Sequence, residues 1–351
     1  MHSAFMHRCL ELAKMGHRHT GINPMVGAVL VGGGNIIAEA FHEQFGGPHA
    51  EVLLIKKFDQ KVREEDVLYV NLEPCCHTEK KTPPCTEAII ASGIRTVVFG
   101  MLDPNPLVSG KGVARLRTAG ITVFGPVERA QCEWLNRGFV SLMTRGRPWI
   151  TLKRACTLSG AIARPDGSML KITDSEQDAW SHRHLRAMHD AILVGVGTVV
   201  TDDPMLTQRM KNEKLGPPAG RAGLKNYQPL RIILDPDLRI PLAAKIVSGE
   251  MAKGTMVVMH DFKESRQSED SEEKIRILQE RGVRILGVPL DAKREFDLPV
   301  LLQILTTPTQ DFHGITSVLV EGGQRTWDAF SAARLLDADI TLIGAGKSDM
   351  A

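Results

Sequence analysis

The chain has 351 residues, more than one hydrophobic core ordinarily organises, so two domains are expected. An apolar fraction of 43% and a charged fraction of 24% belong to an ordinary globular protein and exclude a disordered or fibrous one. With 43 basic against 41 acidic residues the net charge is +2, so no global field marks a binder of nucleic acid or of membrane surfaces.

Met1-His2-Ser3 leads into an amphipathic stretch instead of a basic segment and an unbroken apolar run, so no secretory signal is read. From Phe5 to Met15 apolar residues recur at helical spacing through Cys9 and Leu12, and Gly16 is placed to end the helix. Stretches 25–31 and 36–40 read as strands around Gly32-Gly33-Gly34-Asn35, a hairpin signal. A helix over 48–58, a strand over 67–72, a helix over 86–92, a strand over 96–99, a helix over 112–119, a strand over 122–124 and a helix over 128–144 follow, the alternation of an α/β layered domain.

Arg145-Gly146-Arg147-Pro148 then breaks the pattern and a fresh strand begins over 149–155, which sets the domains at 1–146 and 147–351. The second half repeats the alternation with strands over 191–196, 230–234, 254–259, 283–288 and 317–320 and helices over 271–281 and 326–332. Segments 211–228 and 261–272 are polar and read as surface loops or a helix entry. No apolar run approaches the roughly 20 residues needed to cross a bilayer, so a cytoplasmic protein is expected.

Six cysteines are too few for a disulfide scaffold, and Cys75, Cys76 and Cys85 are crowded in a way that favours metal binding or catalysis; Cys9, Cys132 and Cys156 read as buried apolar thiols. Pro48-His49-Ala50-Glu51 opens one predicted helix, and Glu73-Pro74-Cys75-Cys76 followed by Pro83-Pro84-Cys85 opens another. One imidazole and two thiolates between two helix starts suit Zn²⁺, with His49, Cys75 and Cys85 as ligands and the fourth position left for water. Glu51, two residues after the histidine, is the candidate general acid/base of a hydrolytic deaminase, whose usual signature carries two residues between the cysteines where this chain has nine. The competing reading is a closed structural site with Cys76 or His77 as a fourth ligand.

At this point the chain resembles the bifunctional riboflavin-biosynthesis deaminase/reductases. The resemblance rests on Asn23-Pro24-Met25-Val26-Gly27, Pro48-His49-Ala50-Glu51-Val52, Leu72-Glu73-Pro74-Cys75 with Lys81-Thr82-Pro83-Pro84-Cys85, and Asp103-Pro104-Asn105-Pro106. It continues through Thr157-Leu158-Ser159-Gly160, Gly197-Thr198-Val199 with Asp202-Asp203-Pro204, and Val320-Glu321-Gly322-Gly323. The resemblance implies an α/β chain with a cytidine-deaminase-like N-terminal domain followed by a dihydrofolate-reductase-like C-terminal domain. The first would remove an amino group from a phosphoribosylated diaminopyrimidine with Zn²⁺; the second would reduce the product's ribose to a ribityl chain with NADPH.

By motif position the resemblance assigns cofactor contacts to Ala155, Thr198, Asp202 and Gly323, and substrate contacts to Asn23, Ser168, Arg186, Leu206, Arg209 and Glu321. Gly322-Gly323 after an apolar strand and before a helix also suits a phosphate, and guanidinium groups suit the phosphate of the substrate. The partner implied is a small phosphorylated pyrimidine, with no nucleic-acid or membrane partner, and a homo-oligomer is expected of a soluble enzyme.

The chain departs from the family pattern in four places. The loop from Cys75 to Cys85 is one residue longer than the common form, and Cys76 would restore the spacing, but Glu73-Pro74 anchors the motif at Cys75. Ile22 stands where a proline is usual. Arg164 to Lys171 differs from the usual pattern, with Ser168 as its candidate contact. Family members usually continue with further strands beyond Gly344, so an exposed sheet edge and an impaired reductase form the second reading, and a deaminase of nucleic-acid bases the third.

Overall fold

The structure is a computed structural model and describes residues 2–76, 84–106, 108–162, 164, 170–209, 228–261, 269–291 and 294–344. The chain divides into two compact units, Met1–Arg147 with Thr306–Thr316, and Pro148–Leu305 with Ser317–Ala351.

In the first unit α1 (His2–Ala13) precedes the hairpin β1 (Gly27–Gly32) and β2 (Asn35–Phe41), followed by α2 (Ala50–Lys57), β3 (Val67–Val70), α3 (Cys85–Ser92), β4 (Thr96–Phe99), α4 (Lys111–Thr118), β5 (Thr122–Phe124), α5 (Arg129–Leu135) and α6 (Arg137–Arg145). The sheet order is β2-β1-β3-β4-β5, with β1 antiparallel to both neighbours and β3, β4 and β5 parallel. Every residue of β1 is buried, the pattern of a strand covered on both faces. Met6, Cys9 and Leu12 of α1 join its core, and Gly27 lets the helix seat: a Cβ there would lie 2.1 Å from the Cys9 carbonyl oxygen. Cys9 and Cys132 are buried as expected, whereas Cys156 is only half-buried.

The single helix expected over 128–144 is two. Asn136 breaks it, because its side chain is committed to Met25: Oδ1 accepts the Met25 N–H at 2.8 Å and Nδ2 donates to the Met25 carbonyl at 3.0 Å. Asn71, just after β3, joins the same anchor, accepting the Gly27 N–H at 2.8 Å and donating to the Met25 carbonyl at 3.0 Å. Two buried amides thus fix the entry to β1, where Asn23-Pro24-Met25 lies.

The second unit contains β6 (Trp149–Thr157), α7 (Ser175–His184), β7 (Ala191–Gly195), α8 (Val196–Asp202), β8 (Leu230–Leu234), α9 (Gly249–Ala252), β9 (Thr255–His260), α10 (Glu269–Glu280), β10 (Arg284–Val288), α11 (Leu298–Thr306), β11 (Ser317–Val320), α12 (Gln324–Ala332) and β12 (Ala338–Gly344). All pairings in its sheet are parallel, in the order β10-β9-β8-β7-β11-β6-β12. From β6 the chain steps to β7 and runs outward through β8, β9 and β10, then returns to lay β11 between β7 and β6. Strand order therefore reverses around β7, β11 and β6, and the carboxyl ends of these strands form the crevice in which open α/β sheets bind ligands.

Several elements of this unit escape the periodicity reading. Helix α7 buries only Ser181, so it shows no apolar stripe; its start is instead a capping box, with Asp174 accepting the Gln177 N–H at 2.8 Å. Helix α8 leaves β7 without a breaker, α11 is an apolar run without an evident polar face, and β12 alternates half-buried and exposed residues along one sheet edge. Among the described residues no helix is long and apolar enough to cross a membrane.

Candidate active sites

His49 caps α2 in extended backbone, Cys85 is the first residue of α3, and Cys75 comes from the loop after β3. The three side chains converge. His49 Nδ1 lies 3.1 Å from Cys85 Sγ and 3.5 Å from Cys75 Sγ, and all three ligand atoms fall within 4.8 Å of one another. With Zn–S of about 2.3 Å and Zn–N of about 2.0–2.1 Å, the corners of a tetrahedral site lie about 3.5–3.8 Å apart, so the donor set fits zinc in both spacing and softness. Cys76 is not part of the cluster, and His77 lies outside the described residues.

The local field favours thiolate. Cys75 is held down at about 3 by the Cys85 thiol that donates to it and by His49, with the Cys85 backbone N–H at the start of α3 3.4 Å from its sulfur; together these outweigh its burial. Cys85 moves the opposite way, pushed up by sharing that proton and by burial. Glu51, the second residue of α2, is 3% exposed, and burial raises its carboxyl despite the neighbouring imidazole. A buried carboxyl raised above its ordinary value beside the Cys85 thiol is suited to take up a proton.

Two supports around this cluster were not assigned roles from sequence. Glu73 is 2% exposed and its carboxylate accepts three backbone N–H groups, from Asp103 at 3.1 Å, Gly110 at 2.9 Å and Val113 at 3.0 Å. It therefore clamps the Asp103–Gly110 loop and the start of α4 beside Cys75. Gly112 lets α4 come in that close, since a Cβ there would lie 2.0 Å from the Pro74 carbonyl oxygen. His42 is the second support: its Nδ1–H donates to the Pro48 carbonyl at 3.0 Å, which leaves Nε2 to accept from the Asn23 amide at 3.4 Å. Asn23 is thereby tied to the residue preceding His49. A buried acid directly after an apolar strand and a histidine between two loops are the signals that would have drawn attention to both.

In the second unit Glu321 and Gly323 follow the carboxyl end of β11, and Thr198 and Asp202 follow that of β7. Glu321 follows β11 directly, and its backbone N–H donates to the Leu193 carbonyl of β7 at 2.9 Å. Arg186, in the turn after α7, forms a two-pronged pair with it, Nε to Oε1 at 2.9 Å and Nη2 to Oε2 at 2.5 Å, and also donates to the Thr207 carbonyl at 3.0 Å. Burial raises the Glu321 carboxyl, but the Arg186 charge outweighs it and leaves the group below its ordinary value. The arginine thus fixes the Glu321 carboxylate just beyond the end of β11.

Leu206 is buried with a φ of +48°, in a loop where Asp203 also has a φ of +40°. Left-handed backbone at non-glycine residues is strained, and such strain collects where a ligand is clamped. Arg209 is exposed, and its backbone N–H donates at 3.0 Å to Nδ1 of His182, a residue the motifs did not single out. His182 and Arg186 are four apart along the chain, which was the available signal. Thr198 and Asp202 lie on α8, which starts where β7 ends; Ala155 lies on β6, paired with Leu342 of β12. Gly323 caps α12 in extended backbone, and Gly322 brings that helix close to the strand end, with a Cβ there lying 2.5 Å from Thr326 Cβ. A glycine pair, a helix start and a crevice at the strand ends fit a dinucleotide phosphate. Ser168 lies outside the described residues.

Residues 1–101 match the cytidine and deoxycytidylate deaminase zinc-binding region, and residues 148–345 match the RibD C-terminal domain. The riboflavin biosynthesis protein RibD of Aquifex aeolicus is 41% identical over 340 residues, covering 97% of this chain and 85% of its own length. The Escherichia coli protein of the same name is 37% identical over 339 residues, covering 97% and 86%. Among solved structures, Acinetobacter baumannii RibD superposes with a TM-score of 0.76 at 34% identity, covering 97% of this chain and 86% of that one. A Thermotoga maritima diaminohydroxyphosphoribosylaminopyrimidine deaminase/5-amino-6-(5-phosphoribosylamino)uracil reductase superposes with a TM-score of 0.73 at 34% identity, covering 98% and 86%.

Proposed function

The chain belongs to the RibD family of bifunctional deaminase/reductases of riboflavin biosynthesis, and on that footing we propose which residues carry its two activities. The deaminase is assigned to residues 1–146 and the reductase to 147–351. The observation that carries the first assignment is the convergence of His49, Cys75 and Cys85 beside the buried Glu51.

The substrate of the first step is 2,5-diamino-6-(5-phosphoribosylamino)pyrimidin-4(3H)-one. His49, Cys75 and Cys85 hold zinc, which when bound supplies Lewis acidity and a water activated near neutral pH. Glu51 accepts a proton from the attacking water and returns protons to the ring nitrogen and to the departing ammonia. Asn23, held through His42 and the Met25 anchor, orients the pyrimidine. The raised Glu51 carboxyl takes the proton of the attacking water more readily than an ordinary carboxylate would.

In the second step NADPH supplies hydride, and the chain's residues act by orientation. Gly323 and the start of α12 would hold the cofactor phosphate, and Ala155, Thr198 and Asp202 would contribute the other cofactor contacts. Glu321, Arg186, Leu206, Arg209 and Ser168 bind the phosphoribosyl substrate. A cytoplasmic homo-oligomer acting on a small molecule, with no nucleic-acid or membrane partner, completes this reading.

Purified protein given the diamino substrate with NADPH should release ammonia and then oxidise NADPH. Ammonia without NADPH oxidation would refute the reductase assignment, and release from free cytidine or a nucleic acid in preference to the phosphoribosylated pyrimidine would refute the substrate.

A further inference from the structure

The segment Thr306–Thr316 joins α11 to β11, both elements of the reductase half by chain order, yet it packs within the first unit. It is a built element. The Thr309 N–H donates to the Phe312 carbonyl at 2.7 Å and closes a tight turn, after which Gly314 and Ile315 are buried. Its contacts fall on the loop before Asn23, on the loop before His49 and on α6.

On the loop before Asn23, the Ile22 N–H donates to the His313 carbonyl at 3.1 Å. The fit there admits no added atom: a Cβ on Gly21 would lie 2.5 Å from that carbonyl oxygen, and one on Gly314 would lie 2.5 Å from Ile22 Cγ2. On the loop before His49, the His313 ring stacks on Phe45, with centroids 4.7 Å apart and planes at 21°. The same two loops are already joined, since Phe45 N–H donates to the His19 carbonyl at 2.9 Å and His42 links Asn23 to Pro48. The far end of the segment is seated against α6, where a Cβ on Gly138 would lie 2.6 Å from the Thr316 carbonyl oxygen.

We propose that Thr306–Thr316 is a strap that positions the substrate loop of the deaminase, with His313 as the positioning residue that holds Asn23 in register with His49. The inference rests on the reading that Asn23 contacts the pyrimidine. Its contacts reach the substrate loop at Gly21 and Ile22 and the loop before His49 at Phe45, so it acts on where the ring binds. Its polypeptide comes from the reductase half, so the deaminase pocket is completed by sequence that lies more than a hundred and fifty residues after its own last helix.

The test is made on the full chain, with ammonia release measured against substrate concentration and reductase turnover on the pre-deaminated substrate measured alongside. His313→Ala should raise the deaminase KM about three- to tenfold, the range set by one aromatic stack, with kcat, zinc content and reductase constants unchanged. His313→Phe keeps the stack and should restore the wild-type KM. In an Asn23→Ala background the His313→Ala effect should vanish, because the strap acts through that residue. An unchanged KM in His313→Ala, an effect that adds fully to Asn23→Ala, or a joint fall of both activities with loss of zinc would each overturn the proposal. Failure of the wild-type chain to release ammonia would instead refute the deaminase reading beneath it.

Discussion

Removing the Glu73 carboxylate should destabilise the deaminase unit and with it the metal site. In Glu73→Ala three backbone N–H groups, those of Asp103, Gly110 and Val113, lose their acceptor in a site where the side chain is 2% exposed. Each buried unsatisfied donor costs about 1–3 kcal/mol, and partial water entry into the vacated space brings the sum to about 3–5 kcal/mol. Glu73→Gln retains one oxygen and turns its amide nitrogen toward at least one N–H, so about 1–3 kcal/mol is expected. For a unit near 150 residues each kcal/mol lowers Tm by roughly 2–4 °C, so the alanine variant should melt about 6–20 °C earlier. Thermal unfolding followed by calorimetry, which separates the transitions of the two units, reads this directly. Ammonia release should fall with it, because the loop clamped by Glu73 adjoins Cys75. A loss under about 1 kcal/mol in Glu73→Ala would refute the hydrogen-bond reasoning.

Three further outcomes follow from the same geometry. Cys75→Ser should lose zinc, measured by metal analysis of purified protein, while Cys76→Ser keeps it; the reverse pattern would move the ligand. Arg186→Ala strands the Glu321 carboxylate, 7% exposed, and should cost about 3–5 kcal/mol in the second unit and abolish reduction while deamination survives. Arg186→Lys should not rescue it, since an ammonium lacks the fork that meets both oxygens. His182 is held down to about 4, by burial first and then by Arg186 and Arg209, so the unfolded chain with its value near 6.5 binds the extra proton. Its contribution to stability is therefore flat above pH 6.5 and declines as pH falls from there toward 4, and His182→Gln should flatten that part of a Tm-against-pH curve.

Many strands of both sheets were legible because they are short apolar runs bounded by glycine and polar turns; β4 and β5 of the first sheet and β8 and β11 of the second fall where periodicity places them. The metal cluster was legible because histidine and cysteine at two helix starts carry their chemistry in their identity. Helix α7 was not, since it buries one residue and announces itself only by its cap. The split at Asn136 and the clamp at Glu73 were hidden for a common reason. Each is a polar side chain satisfying backbone groups brought to it by tertiary structure, and Asn136 reaches Met25 across 111 positions of sequence. The strap is the extreme case: its turn is ordinary in sequence, and its docking rests on tertiary packing at Gly21, Gly138 and Gly314 and on the His313 contacts with Ile22 and Phe45.

The most direct measurement is made with Glu51→Gln, supplied in parallel with the diamino substrate and with its deaminated product, each with NADPH. A proton-transfer residue contributes about 10²–10⁴-fold, so ammonia release should fall by at least that factor, and with it any NADPH oxidation from the diamino substrate. Zinc content and NADPH oxidation from the deaminated product should match the wild type. Undiminished ammonia release from Glu51→Gln would contradict the assignment at its centre.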